Sequence, residues 1–192
     1  MEKLKRNTDV LKEQRPIRVL QFGAGNFLRA FSDWMIDILN EQTAFNGDVL
    51  VVKPTERGDY TALRNQEGLF HVLLNGIEKG ELIESNRLIS CIQQIIHPYH
   101  DWSAFLASAQ NPDLRFIISN TTESGIVYAA GEAKPIDHCP KEFPAKLAYW
   151  LWARFEHFKA EPGKGCIMLP LELIEEHGAK LTAAIIAYAK EW

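Results

Sequence analysis

Ile17-Arg18-Val19-Leu20-Gln21-Phe22-Gly23-Ala24-Gly25-Asn26-Phe27-Leu28-Arg29-Ala30-Phe31 is the stretch that decides the fold of this chain. Six mostly apolar residues read as a short buried strand. Gly23-Ala24-Gly25 reads as a tight turn, and Phe31, Trp34, Met35, Ile38 and Leu39 recur at helical spacing after it. A strand that feeds a helix through Gly-x-Gly exposes backbone N–H groups at the positive end of the helix dipole, where a phosphate is held. Gly-x-Gly alone is weak, because many tight turns use glycine only for its backbone freedom, and the position of a third glycine is taken by Leu28.

Outward from this turn the pattern repeats. Asp48-Val49-Leu50-Val51-Val52 is a continuous apolar run closed by Pro54, as a central parallel strand buried on both faces should be. Strand, helix and strand within about 35 residues make one βαβ unit. Tyr60 to Gln66 suits a short helix. Leu69 to Leu74 and Glu81 to Ile89 flank Asn75-Gly76-Ile77-Glu78-Lys79-Gly80, which predicts a hairpin with a six-residue loop. Ser90 to Ile96 and Arg115-Phe116-Ile117-Ile118-Ser119 are further strands, with a helix from Asp101 between them. Residues 126–142 read as an irregular loop. Phe143, Leu147, Trp150, Leu151, Phe155 and Phe158 form an apolar helical stripe, core or interface, and Cys166 to Leu169 is the last strand. A final helix runs through Leu181, Ile185 and Tyr188, with Gly178 as a candidate break. The fold class is therefore α/β: a Rossmann-like, mostly parallel sheet with helices on both faces and an antiparallel hairpin insertion. Residues 1–16 form an arm and residues 17–192 the domain.

Composition sets limits on partners. The 192 residues carry a formal net charge of −4 and no Lys/Arg block, which argues against a nucleic-acid surface. No apolar run approaches the roughly 20 residues that span a bilayer, and no apolar segment follows Met1 as a leader would require. Cys91, Cys139 and Cys166 are odd in number and far apart, which suits a reduced, cytoplasmic protein; no Cys-x-x-Cys supports zinc. His97-Pro98-Tyr99-His100-Asp101 is read as a surface loop rather than a metal cluster. His138-Cys139 is read as loop rather than a nucleophile pair, because adjacent side chains diverge in extended backbone.

Strand two ends Val52-Lys53-Pro54-Thr55, without the acid that would hold the ribose hydroxyls of NAD. Lys53 and Arg57 either favour the 2′-phosphate of NADP or are solvated loop charges.

Gly23 to Phe31 resembles the Gly-x-Gly-x-Phe-x-Arg-Ala signature of the mannitol dehydrogenase family, the polyol-specific long-chain dehydrogenases, in which the third glycine is replaced. Asn120-Thr121-Thr122-Glu123-Ser124-Gly125 is similar to that family's Thr-x-Thr-Glu-x-Gly segment. Met168 through Gly178 is similar to the segment that closes its nucleotide domain, with Leu171-Glu172-Leu173 where polyol dehydrogenases carry Cys-Asp-Asn. Trp34-Met35-Ile36-Asp37 and Val51-Val52-Lys53-Pro54 are most similar to a branch that acts on sugar acids and uses NAD. The resemblance implies NAD as cofactor, held by Leu20, Gln21, Phe22, Gly23, Ala24, Gly25, Asn26, Phe27, Leu28, Arg29, Lys53, Asn120 and Thr121, with the N–H groups of Asn26 and Phe27 toward the pyrophosphate. Arg29 reaches a phosphate or pairs internally. Asn120 and Thr121 fall on the nicotinamide-ribose side, and Glu172 is a candidate for the cleft floor. The implied substrate is a small sugar acid, and no metal is implied. The family's catalytic lysine belongs to a C-terminal helical domain absent from this chain, which is expected to pack on this one. A non-catalytic nucleotide-binding module is the competing reading.

Overall fold

The computed structural model describes residues 4–6, 14–122 and 125–192. Most of the predicted N-terminal arm, and Glu123 and Ser124 of the polar cluster, lie outside these residues. Five parallel strands form the main sheet: β1 (Ile17–Phe22), β2 (Asp48–Val52), β5 (Ile92–Ile96), β6 (Phe116–Ser119) and β7 (Ile167–Pro170), in the order β5-β2-β1-β6-β7. β1, the central strand, has every residue but Arg18 buried, as its apolar run requires. Its register aligns Phe22 with Val52 on one side and Ser119 on the other. All five strands thus end along one edge. The chain leaves β1 toward β2 and later returns to β6 on the far side, so the crevice at that edge is a topological switch point.

One face of the sheet packs Phe22, Leu20 and Leu50 against α3 (Trp102–Ala107), α4 (Phe143–Phe158) and α5 (His177–Glu191). Trp102, Phe105, Phe143, Leu147, Trp150 and Leu181 fill that layer, each side chain worth about 1.5–3 kcal/mol of burial. Arg154 clamps it: the guanidinium donates to the carbonyls of Ala109, Asn111, Leu114 and Lys164 and ties α4 to the loop before β6. The opposite face packs Val19, Val49 and Val51 under the first helix and α2 (Thr61–Asn65).

That first helix is not uniform. Leu28–Asp33 is a π-helical turn that runs into α1 (Trp34–Gln42). The hairpin, β3 (Phe70–Glu78) and β4 (Glu81–Ile89), is a separate antiparallel sheet, and its predicted six-residue loop is corrected to a two-residue turn. Lys79 (φ 53°) and Gly80 (φ 88°) both take positive φ, the geometry that matches strand twist. Asn75-Gly76 therefore lies inside the ladder, paired with Glu84 and Ile83. Asp37 of α1 anchors the hairpin, accepting from Nε and Nη2 of Arg87 and from the backbone and hydroxyl of Ser90. Gly178 does not break the last helix; it sits in the first turn, where a glycine costs little.

Candidate functional site

A cleft of about 770 Å³ opens at the carboxyl ends of β1, β2 and β6. Its floor is the glycine turn. Gly23 has φ +109°, its N–H donates to Val52 O (2.9 Å), and its carbonyl accepts from Gln21 Nε2 (3.1 Å). A β-carbon there would press on Leu28 at 3.3 Å, so the fold itself demands glycine. Gly25 differs. Its φ is ordinary and a β-carbon would meet no atom of the described residues within 4 Å, so nothing among them asks for glycine. The bare Cα faces the cleft, leaving room for a group as large as a pyrophosphate to reach the backbone. Arg29 N–H closes onto Gly25 O (3.1 Å), which starts the helix with its positive end at the turn.

Beneath the turn, Gln21 Nε2 also approaches Asp33 Oδ2 (3.3 Å). Asp33 is fully buried on the π turn, and burial pushes its carboxyl up to about 7, against the lowering by the Gln21 hydrogen bond and the nearby Arg29. The donor of the middle turn residue, Ala24 N–H, goes to the Tyr60 hydroxyl at 3.0 Å. Tyr60 lines the same cleft, and burial raises its phenol.

One wall is Asn120 to Thr122 with Gly125. Asn120 Nδ2 donates to Leu171 O (2.6 Å), and Thr121 donates through both its N–H (3.2 Å) and its hydroxyl (3.3 Å) to Glu172 Oε1. Glu172 is buried, so its carboxylate braces this wall from behind. A β-carbon at Gly125 would meet Thr121 Oγ1 at 2.3 Å, which explains that glycine as packing.

The other wall is built from Pro54 to Arg57, Tyr99, Cys139 and the start of α4. Lys146 lies behind it with no exposure, donating to Tyr99 Oη (3.1 Å) and Lys141 O (2.7 Å). Burial pulls its ammonium down to about 8, opposed by Cys139, Glu132 and Glu142. Burial also pushes the Cys139 thiol up to about 11, which removes it as a nucleophile at neutral pH.

The residues named from sequence therefore separate. Gly23, Ala24, Gly25, Asn120 and Thr121 line the cleft together. Leu20, Gln21, Phe22 and Leu28 are buried beneath it. Asn26 and Arg29 border a smaller hollow against the hairpin: Arg29 donates to Asn26 Oδ1 (2.6 Å) and lies over the Phe70 ring at 5.7 Å, the internal pairing of its two alternatives. Phe27 is exposed and stacks on Phe31. Lys53 is not a solvated loop charge, being only 3% exposed. His97, expected in a surface loop, is buried, and its ring stacks on His100 with centroids 3.9 Å apart. Tyr60, Tyr99, Glu56 and Lys146 were not signalled by any motif; the topology alone brings them here. Among the described residues no cluster of His, Cys, Asp and Glu is placed to hold a metal, and no helix is long and apolar enough to cross a membrane.

Residues 17–192 match the family model for the mannitol dehydrogenase Rossmann domain. Altronate oxidoreductase of Klebsiella pneumoniae is 44% identical over 180 residues, and that of an Escherichia coli O7:K1 strain is 45% identical over 181. Each match covers 93% of this chain and 37% of the relative, so the chain spans little more than a third of the length of these relatives. Pseudomonas fluorescens mannitol 2-dehydrogenase, solved in a ternary complex with NAD and D-mannitol, superposes with a TM-score of 0.70 at 19% identity over 98% of this chain and 39% of its own. A D-sorbitol dehydrogenase in substrate-free form gives 0.72 at 18% identity over 97% of this chain and 40% of its own. At such identities these two structures establish the shared fold.

Proposed function

This chain belongs to the mannitol dehydrogenase family, and from that premise we propose that it is the NAD(H)-holding domain of a sugar-acid oxidoreductase that interconverts tagaturonate and altronate. The observation that carries the cofactor half is Gly25: a glycine that no contact among the described residues requires, at the mouth of a cleft at the switch point of the sheet. The substrate half rests on the altronate oxidoreductases, which match at 44–45% identity across 93% of the chain.

NAD supplies the hydride chemistry at its nicotinamide. The chain's part is to bind and orient. Gly23 to Gly25 seat the pyrophosphate at a helix start. Asn120 and Thr121, held back by Leu171 O and Glu172, fix the wall on which the nicotinamide ribose rests. Glu172 acts through Thr121 and is a positioning residue in this reading. The proton donor for reduction of the keto group is expected to be a lysine in the part of the longer relatives that this chain does not cover, in a helical domain packed on this one.

The test has two arms. NADH titrated into the 192-residue chain should quench tryptophan fluorescence saturably, and the chain should show no altronate-dependent reduction of NAD. The longer protein should show that activity, with altronate preferred to mannonate. Failure of NADH to bind the chain sinks the cofactor reading, and turnover by the chain alone sinks the division of labour.

A further inference from the structure

We propose that Glu132 is a positioning residue for the cleft, and that the strap of residues 126–142, which it ties together, makes the last turn of α5 part of the cleft's support. This rests on the dinucleotide reading above and deepens it. Residues 126–142 form neither helix nor strand. A loop of this length without secondary structure of its own is uncommon in a compact domain unless it has a function. Its backbone donors need partners from elsewhere, and side chains supply them. Ala129 N–H donates to the Tyr188 hydroxyl (2.9 Å) and Gly131 N–H to Glu191 Oε1 (2.6 Å), both acceptors on α5. Tyr128 Oη donates to Glu191 Oε2 (2.7 Å), and its ring meets that of Tyr188 edge-on with centroids 4.9 Å apart.

Glu132 joins this end of the strap to the other. Its Oε2 accepts from the Tyr188 hydroxyl (3.1 Å), and its carbonyl accepts from Trp192 Nε1 (2.8 Å). Its Oε1 accepts from Lys141 N–H at 2.8 Å, nine residues further on. Lys141 lines the cleft beside Cys139, Glu142 and Phe143. Its carbonyl is held too, by Lys146 Nζ (2.7 Å) and by the Tyr99 hydroxyl (3.2 Å). One residue of the wall is thus gripped at its C=O from behind the wall and at its N–H by Glu132. Only the second grip leads away from the cleft, since Tyr188, Glu191 and Trp192 lie outside its lining. Without the Glu132 carboxylate the wall and the helix lose their connection. The linkage runs both ways: if the tied strap favours an occupied cleft, an occupied cleft must tighten the strap.

The experiment is NADH titration of the 192-residue chain and its variants, joined to amide hydrogen exchange with and without NADH. Glu132→Ala should weaken NADH about fivefold. Glu132→Gln keeps an oxygen for Lys141 N–H and an NH₂ for the Tyr188 hydroxyl, and should recover most of that loss. Glu191→Ala, at an exposed position outside the cleft, should weaken NADH about threefold. Both alanine changes remove a negative charge, which by itself would favour an anionic dinucleotide, so a loss of affinity reads the strap and not the charge. In the unchanged chain NADH should slow exchange at Ala129 and Gly131, whose amides are bonded to α5, and in Glu132→Ala that slowing should vanish. NADH affinity unmoved by both Glu132→Ala and Glu191→Ala overturns the proposal. So does NADH binding to the unchanged chain with no slowing at Ala129 and Gly131, a result that leaves the cofactor reading standing and needs no variant to fold. Binding of no NADH by the unchanged chain overturns the cofactor reading itself, and this inference with it.

Discussion

Gly23 and Gly25 stand two residues apart and are glycine for different reasons. Gly23 is fixed by a positive φ and by Leu28, so Gly23→Ala should destabilise the turn itself. Gly25→Ala should leave the melting temperature within about 2 °C, since the added methyl meets open space. It should still weaken NADH about tenfold, or about 1.4 kcal/mol, because that space is where the pyrophosphate approaches. Equal binding by Gly25→Ala would mean that the turn is only structural. Asp33 makes the second residue-scale prediction. Its folded pKa, about 7, lies above its unfolded value of 3.8, so the folded state holds the proton more tightly. Stability contributed by the neutral acid is present at low pH and is lost as pH rises toward 7. Asp33→Asn, which mimics the neutral form, should therefore stabilise the chain above pH 7 by on the order of 4 kcal/mol relative to its effect at pH 4. Urea denaturation of both proteins across that range measures it, and a difference independent of pH would contradict the burial argument.

At the scale of elements, the hairpin is the piece least able to stand alone. A two-stranded ribbon is marginal in water, and among its described side chains only those at its base, Phe70, Val72 and Ile89, enter the core. The clamp on Asp37 supplies the rest, with Arg87 also reaching Glu41 at 2.7 Å. Asp37→Ala should cost about 2 kcal/mol, since it leaves the Ser90 N–H and hydroxyl without their acceptor and Arg87 with Glu41 alone. Hydrogen exchange should quicken across β3 and β4 while β1 and β2 keep their protection; uniform loss in all four would refute a local clamp. What the sequence showed and hid follows the same line. β2 was legible because a strand buried on both faces needs an unbroken apolar run, and Val49 to Val52 is one; β1 was legible from its mostly apolar residues leading straight into the glycine turn. The hairpin's existence was legible but its turn was not, since Asn75-Gly76 has the composition of a turn and Lys79-Gly80 took the geometry. The glycine turn could be read from Gly23 and Gly25, whose spacing is local. Tyr60 under Ala24, Lys146 behind Tyr99 and Lys53 turned onto Thr55 and Arg57 could not, because they depend on side chains that meet only after the loops have folded.

For the molecule as a whole, the uneven cover of its two faces matters most. Leu173 is 84% exposed and Leu82 74%, and Phe27, Phe31, Met35 and Leu39 line an outward strip along the first helix. Water-facing apolar groups of this size favour association. Leu82→Lys combined with Leu173→Lys should raise the solubility limit of the chain several-fold and reduce its binding of an apolar dye. The melting temperature should hold within about 2 °C, as neither side chain is buried; a large drop would show that these leucines support the fold. The π turn of Leu28–Asp33 reaches further still. A π turn is an α-helix with one residue inserted, and each residue turns an α-helix by about 100°. Deleting one residue there would swing Asp37 off the hairpin and Trp34 off the sheet while sparing the glycines. An alignment of this chain with dehydrogenases whose first helix is plainly α should accordingly open its gap within 28–33, and one that opens it at Gly23 to Gly25 will misnumber the residues from the glycine turn to the π turn.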